Sequence, residues 1–96
     1  MPVGIFRGDE QTVAAAGTAE ALVASSLFVR GLTIRAKVTN GGNVYIGSSA
    51  VADTDNDGLR PNDSMTITDS IGFDLAEVFV DADTNGEGID FWYTLS

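Results

Sequence analysis

Two short runs in this chain have residue types and spacing that suit a metal ion. Asp53-Thr-Asp-Asn-Asp-Gly58 and Asp81-Ala-Asp-Thr-Asn-Gly86 both fit the pattern D-x-D-x-[DN]-G. Side-chain oxygens at alternate loop positions, followed by a glycine bend, can converge on one calcium ion, which takes six to eight oxygen ligands. The closing bidentate glutamate of an EF-hand loop would fall at Ser64 in the first run and at Trp92 in the second, so neither is a complete loop. In the first run Asp63 can stand in for the missing carboxylate, which makes Asp53, Asp55, Asp57 and Asp63 the calcium candidates. The alternative is an ordinary acidic turn whose Asp and Asn side chains satisfy their own backbone. In the second run Asn85-Gly86 lies between two strand-like segments and reads as a hairpin turn, with Asp81 and Asp83 at a strand end.

Other chemistry has little material to work with. The chain contains no histidine and no cysteine, the commonest general base and the readiest nucleophile. Asp69 and Asp74 form a carboxylate pair with nothing around them that suggests a substrate cleft. No glycine-rich segment precedes a Lys-Ser/Thr pair, so a phosphate loop is absent. The expectation is a protein that is not an enzyme and needs no cofactor, with calcium as the one optional ligand.

The elements that would position these groups are short alternating strands. In residues 27–38 the apolar Phe28, Leu32, Ile34, Ala36 and Val38 share one side, while Thr33, Arg35 and Lys37 share the other. Residues 39–43, Thr-Asn-Gly-Gly-Asn, tolerate positive φ and predict a hairpin into Val44-Tyr-Ile46. Residues 64–68, 76–82 and 89–95 repeat the alternation. Residues 11–24 read as two short strands broken at Gly17, with a helix from Thr18 as the alternative. Residues 1–10 carry an isolated apolar pair, Ile5 and Phe6, and read as an extended N-terminal arm ahead of one β domain spanning 11–96. The fold expectation is therefore all-β: a small antiparallel β-sandwich or barrel, jelly-roll-like, with that arm.

Composition bounds the partners. At 96 residues the chain makes one domain with a small core, and without disulfides its stability must come from burial or from assembly. Fourteen acidic against five basic residues give a net charge of -9, which disfavours nucleic acid and anionic membrane surfaces. The start has no basic segment followed by an apolar run, and no stretch approaches the length of a membrane span. Strand parity also leaves aromatics off the first core face. Trp92 lies opposite Ile89, Phe91, Tyr93 and Leu95; Phe79 opposite Val78 and Val80; Tyr45 opposite Val44 and Ile46. Either a second sheet covers them or a partner does. With Ile5, Phe6, Arg35 and Lys37, the aromatics Tyr45, Phe79 and Trp92 form the candidate partner interface.

Several pieces of the chain taken together, Ala16-Gly-Thr-Ala19, Val29-Arg-Gly-Leu-Thr-Ile34, Asn43-Val-Tyr-Ile-Gly47, Leu59-Arg-Pro-Asn-Asp-Ser64 and Val78-Phe-Val-Asp-Ala82, resemble small all-β structural proteins of tailed-phage virions. Where such proteins usually continue the Leu-x-Pro segment with Gly-Glu-Ser, this chain has Asn62-Asp63-Ser64, which keeps the turn chemistry and one acid. The resemblance implies a virion component and leaves its position open; the first reading is a capsid decoration or cement protein, made in the host cytoplasm and located on the capsid surface. Such a decoration or cement protein has the major capsid protein and further copies of itself, in a small homo-oligomer such as a trimer, as partners. The alternative is a glycan- or receptor-binding module of a tail fibre or spike, with the three aromatics as a stacking platform.

Overall fold

A computed structural model describes residues 6–52 and 54–95, with the side chain of Phe6 left out. The elements are β1 (Phe6–Thr12), β2 (Glu20–Ala21), β3 (Phe28–Ala36), β4 (Val44–Gly47), β5 (Ser64–Asp74), a single 3-10 turn (Leu75–Glu77), β6 (Phe79–Ala82) and β7 (Gly88–Leu95). They form two antiparallel sheets, one of order β1-β7-β3-β5 and one of order β2-β6-β4. The sheets stay open at their edges, so the architecture is a sandwich and not a closed barrel. Among the described residues no α-helix forms, and 20–21 pair as a strand with β6 where the helix alternative would have begun.

The alternation of the sequence accounts for the core. Ile89, Phe91 and Tyr93 of β7 face inward with Leu32, Ile34 and Ala36 of β3, and meet Val44, Val80 and Ala82 of the second sheet. Burying a side chain such as Phe91 or Ile34 contributes about 1.5–3 kcal/mol each. Leu75, on the 3-10 turn, closes one end of this core. The N-terminal segment runs extended along the sheet: over its described residues it is the edge strand β1, with Phe6 opposite Thr94 and Thr12 opposite Gly88. Ile5 lies outside the described residues.

Four sequence expectations change, each for a physical reason. Phe28 does not share the core face with Leu32; it is 54% exposed, and Val29 is buried in its place. The cause is a shift of register between Val29 and Gly31. Val29 pairs with Phe73 and Gly31 with Thr68, so residues 69–72 of β5 bulge outward opposite Arg30. Asp69 accepts the Ile71 N–H at 2.9 Å, and Gly72 takes a φ of 101°, which together turn the chain through this excursion. Val38 is exposed because β3 stops at Ala36 and the chain turns, with the Asn40 N–H bonded to the Lys37 carbonyl.

Neither expected hairpin forms. β3 already has β5 and β7 on its two edges, so the turn at 39–43 delivers β4 to the other sheet, where it pairs with β6. The Asn85-Gly86 turn likewise carries the chain from β6 in one sheet to β7 in the other, with Gly86 at a φ of 84°. Asn40 fastens the first crossing: its amide donates to the Gly88 carbonyl at 2.8 Å and accepts the Gly88 N–H at 3.2 Å.

Candidate functional site: acidic loops and outer sheet faces

The second acidic run turns its oxygens toward the protein's own backbone. Asp81 is only 2% exposed. It accepts N–H groups from Gly17 at 2.9 Å and Ala82 at 2.8 Å through Oδ1. Such bonds are what permit a carboxylate to be buried at all. Asp83 accepts the Asn43 N–H at 3.0 Å and the Tyr45 hydroxyl at 2.8 Å, and Asn85 accepts the Ala16 N–H at 2.7 Å. Glu87 accepts the N–H of Gly41 and, at 3.0 Å, that of Gly42. The run is thus a clasp that holds the loop before β2 and the loop before β4 against the end of β6.

The first run behaves as turns. Asp55 accepts the Ala52 N–H at 3.0 Å, Asn56 the Gly58 N–H at 2.8 Å, and Asp63 the Arg60 N–H at 3.1 Å, with the Arg60 Nε at 3.5 Å from the same oxygen. Asp57 contributes its carbonyl to the Asn43 side chain at 3.2 Å. Asp53 lies outside the described residues. Among the described residues no three Asp, Glu, His or Cys side chains gather around a point that would hold a metal.

This loop also settles where Tyr45 goes. Gly58, at a φ of 74°, passes so close to β4 that a Cβ there would sit 2.6 Å from the Val44 carbonyl and 2.7 Å from the Tyr45 ring. Val44 and Leu59 exchange backbone hydrogen bonds of 3.0 and 2.7 Å. Tyr45 is therefore buried beneath its own chain, with its hydroxyl on Asp83. Phe79, half-buried in β6, pairs with Ala21 and Gly47 of the same sheet. Trp92 belongs to the other sheet, so the three aromatics share no common platform.

The outer face of the four-stranded sheet carries the remaining candidates. Trp92 lies across Gly8 of β1, where a Cβ would be 2.8 Å from the indole Cδ1. Arg35 stacks over the indole with its guanidinium carbon 5.7 Å from the ring centroid, and pairs with Asp90 at 3.2 Å. Lys37 binds Glu10 and stands 3.6 Å from Asp90. The Glu10 hydrogen bond pushes the Lys37 ammonium above its ordinary pKa; burial opposes this and Asp90 reinforces it. Both cations thus serve the sheet itself. The Arg35 Nε is buried and has no partner among the described residues.

The carboxylate pair noted in the sequence is not an acid/base pair. Asp69 caps the excursion, whereas Asp74 accepts the Ser26 hydroxyl at 2.6 Å and the N–H groups of Leu27 and Ala76 at 3.0 Å each. Those three donors, the Ser26 hydroxyl first, hold Asp74 below the usual carboxylate range. Sequence reasoning missed two surface features. One is Ile71, 86% exposed at the tip of the excursion, with exposed Phe28 on the neighbouring strand. The only signal for Ile71 is an apolar residue inside the turn-like run Asp69-Ser-Ile-Gly72. The other is an apolar concavity of about 300 Å³ where the sheets part between β4 and β5, lined by Ile46, Leu59, Met65 and residues 56–58. It joins side chains too far apart in sequence to be grouped by pattern. Comparison of the chain with protein-family models, with curated proteins and with solved structures finds no match.

Proposed function

We propose that this protein is a non-enzymatic structural component of a tailed-phage virion, a capsid decoration or cement protein that stabilises the head by bridging capsomers. The observation that carries the reading is an asymmetry between the two outer sheet faces. The three-stranded sheet is roofed by its own loops, through Gly17 on Asp81 and Gly58 on Tyr45. The four-stranded sheet presents the Arg35–Trp92 stack half-exposed, the Arg35 side chain at 42%, where Tyr45 and Asp81 on the other outer face are buried. An aromatic ring with a stacked arginine, held rigid by cross-strand ion pairs, is the composition enriched at the centre of protein interfaces. The resemblance to small all-β virion proteins points the same way. Binding of many copies to a symmetric lattice lets a modest contact per copy suffice.

The alternative, a glycan- or receptor-binding module, is less well supported because Trp92, Tyr45 and Phe79 stand on two different sheets. The test is to add purified protein to undecorated heads and measure occupancy by co-sedimentation and head survival on heating. The expected result is saturable binding that protects the heads, weakened by Trp92→Ala in a variant that still melts cooperatively. Absence of head binding together with adsorption to host cells would overturn the proposal in favour of the alternative.

A further inference from the structure

We infer that copies of this chain associate head to tail, with Ile71 of one copy seated in the apolar seam formed by Ile46, Leu59 and Met65 of the next. The inference goes beyond the decoration reading: it draws on the homo-oligomer expected from the sequence and does not depend on the capsid. Ile71 projects from the β5 excursion at 86% exposure, the greatest of the large apolar side chains that stand exposed. The seam is a place where the two sheets part: β5 is an edge strand, β4 is an edge strand, and an apolar concavity opens to solvent between them. Met65 pairs with Ile34 while the excursion lies opposite Arg30, four residues along β3 or about 13 Å at the usual rise, and the 86% exposure of Ile71 shows that a molecule does not fill its own seam with its own knob.

Charge fits the same pairing. Arg30 lies directly opposite the excursion, exposed and without an ion-pair partner among the described residues. At the seam, the Asp57 carboxylate has no hydrogen-bond or ion-pair partner among the described residues either. Seating Ile71 therefore brings the cation beside the knob toward the anion beside the seam. Knob and seam are different surfaces, so the contact is heterologous: it propagates from copy to copy and ends when the rotation between them closes a ring.

The experiment is sedimentation equilibrium of the full chain, without capsid, over a concentration series. Wild type should self-associate. Ile71→Asp and Arg30→Glu, both at exposed positions, should each weaken association by about tenfold or more, and Arg30→Glu with Asp57→Arg should regain most of it. Because the chain has no native cysteine, a protein with Ile71→Cys and Asn56→Cys should oxidise to chains linked 71 to 56. A wild type monomeric throughout, an Ile71→Asp protein that associates like wild type, or crosslinking confined to 71 with 71 would each overturn the inference. Should Ile71→Asp disturb the excursion, Arg30→Glu and the charge swap give an independent reading. Head binding by a strictly monomeric protein would sink this inference while leaving the decoration reading intact.

Discussion

Replacing Asp81 by alanine should cost far more than removing any other acid of the two D-x-D runs. The side chain is 2% exposed and accepts two N–H groups, one from Gly17 at 2.9 Å and one from Ala82 at 2.8 Å. Gly17 lies on an exposed loop, so its N–H can return to water, and the loss there is the net value of one charge-assisted bond, about 1.5 kcal/mol. The Ala82 N–H is buried, and stranding it costs about 1–3 kcal/mol. Together they give about 3 kcal/mol, a large share of the roughly 5–14 kcal/mol expected of a domain this size. At about 4–8 °C per kcal/mol, the melting temperature should fall by about 12–24 °C. Asp81→Asn keeps an acceptor oxygen and should lose about half as much. Asp57→Ala, at an exposed position, should stay within about 0.5 kcal/mol of wild type. Urea unfolding with a common m value reads all three. An Asp81→Ala protein within 0.5 kcal/mol of wild type would refute the clasp as a source of stability.

Gly88→Ala should destabilise by about 3 kcal/mol or more, because its Cβ would lie 2.7 Å from the Thr12 Cα in the β1–β7 seam; thermal melting checks it. Asp74 is held below the ordinary carboxylate pKa, so its contribution is fully present above that range and disappears as pH falls through the lowered folded-state value. An acid titration of stability should therefore steepen below about pH 4, and Asp74→Asn should flatten that limb. Lys37 is shifted upward, so its contribution holds below its ordinary range and is lost as pH rises through the raised value; Glu10→Gln should blunt the alkaline limb. Calcium and chelator should give the same melting temperature, since Asp55 and Asp63 already serve their own turns; a calcium-dependent rise abolished by Asp55→Ala would contradict that assignment.

The strands were legible wherever alternation ran unbroken. β7 shows it best: Ile89, Phe91 and Tyr93 go inward and Trp92 outward, as parity predicts. In β3 the same logic holds from Leu32 to Ala36 and fails at Phe28, because Arg30 is an extra residue in β3 against β7, which flips the face of the residues before it, and nothing in the alternation reports it. Glycine and asparagine marked the reversals at 39–43 and 85–86 correctly. They could not say which sheet receives the next strand, since that depends on which edges are already occupied. The acidic runs were visible as composition, but Asp81 and Asn85 find donors 64 and 69 residues away at Gly17 and Ala16. No local pattern encodes such distant bonds, and for the same reason Tyr45 could not be seen to lie under Gly58.

The position of β7 has a consequence for how the chain comes into being. It follows the other described strands in sequence, yet it sits between β1 and β3 in the middle of the larger sheet. While a ribosome is still making residues 88–95, β1 has no neighbour to pair with and β3 has only β5. The larger sheet is thus completed only after its closing strand has emerged. Until then the nascent protein exposes two unfilled backbone edges with one vacancy between them, and the order of synthesis keeps that vacancy open until β7 is made.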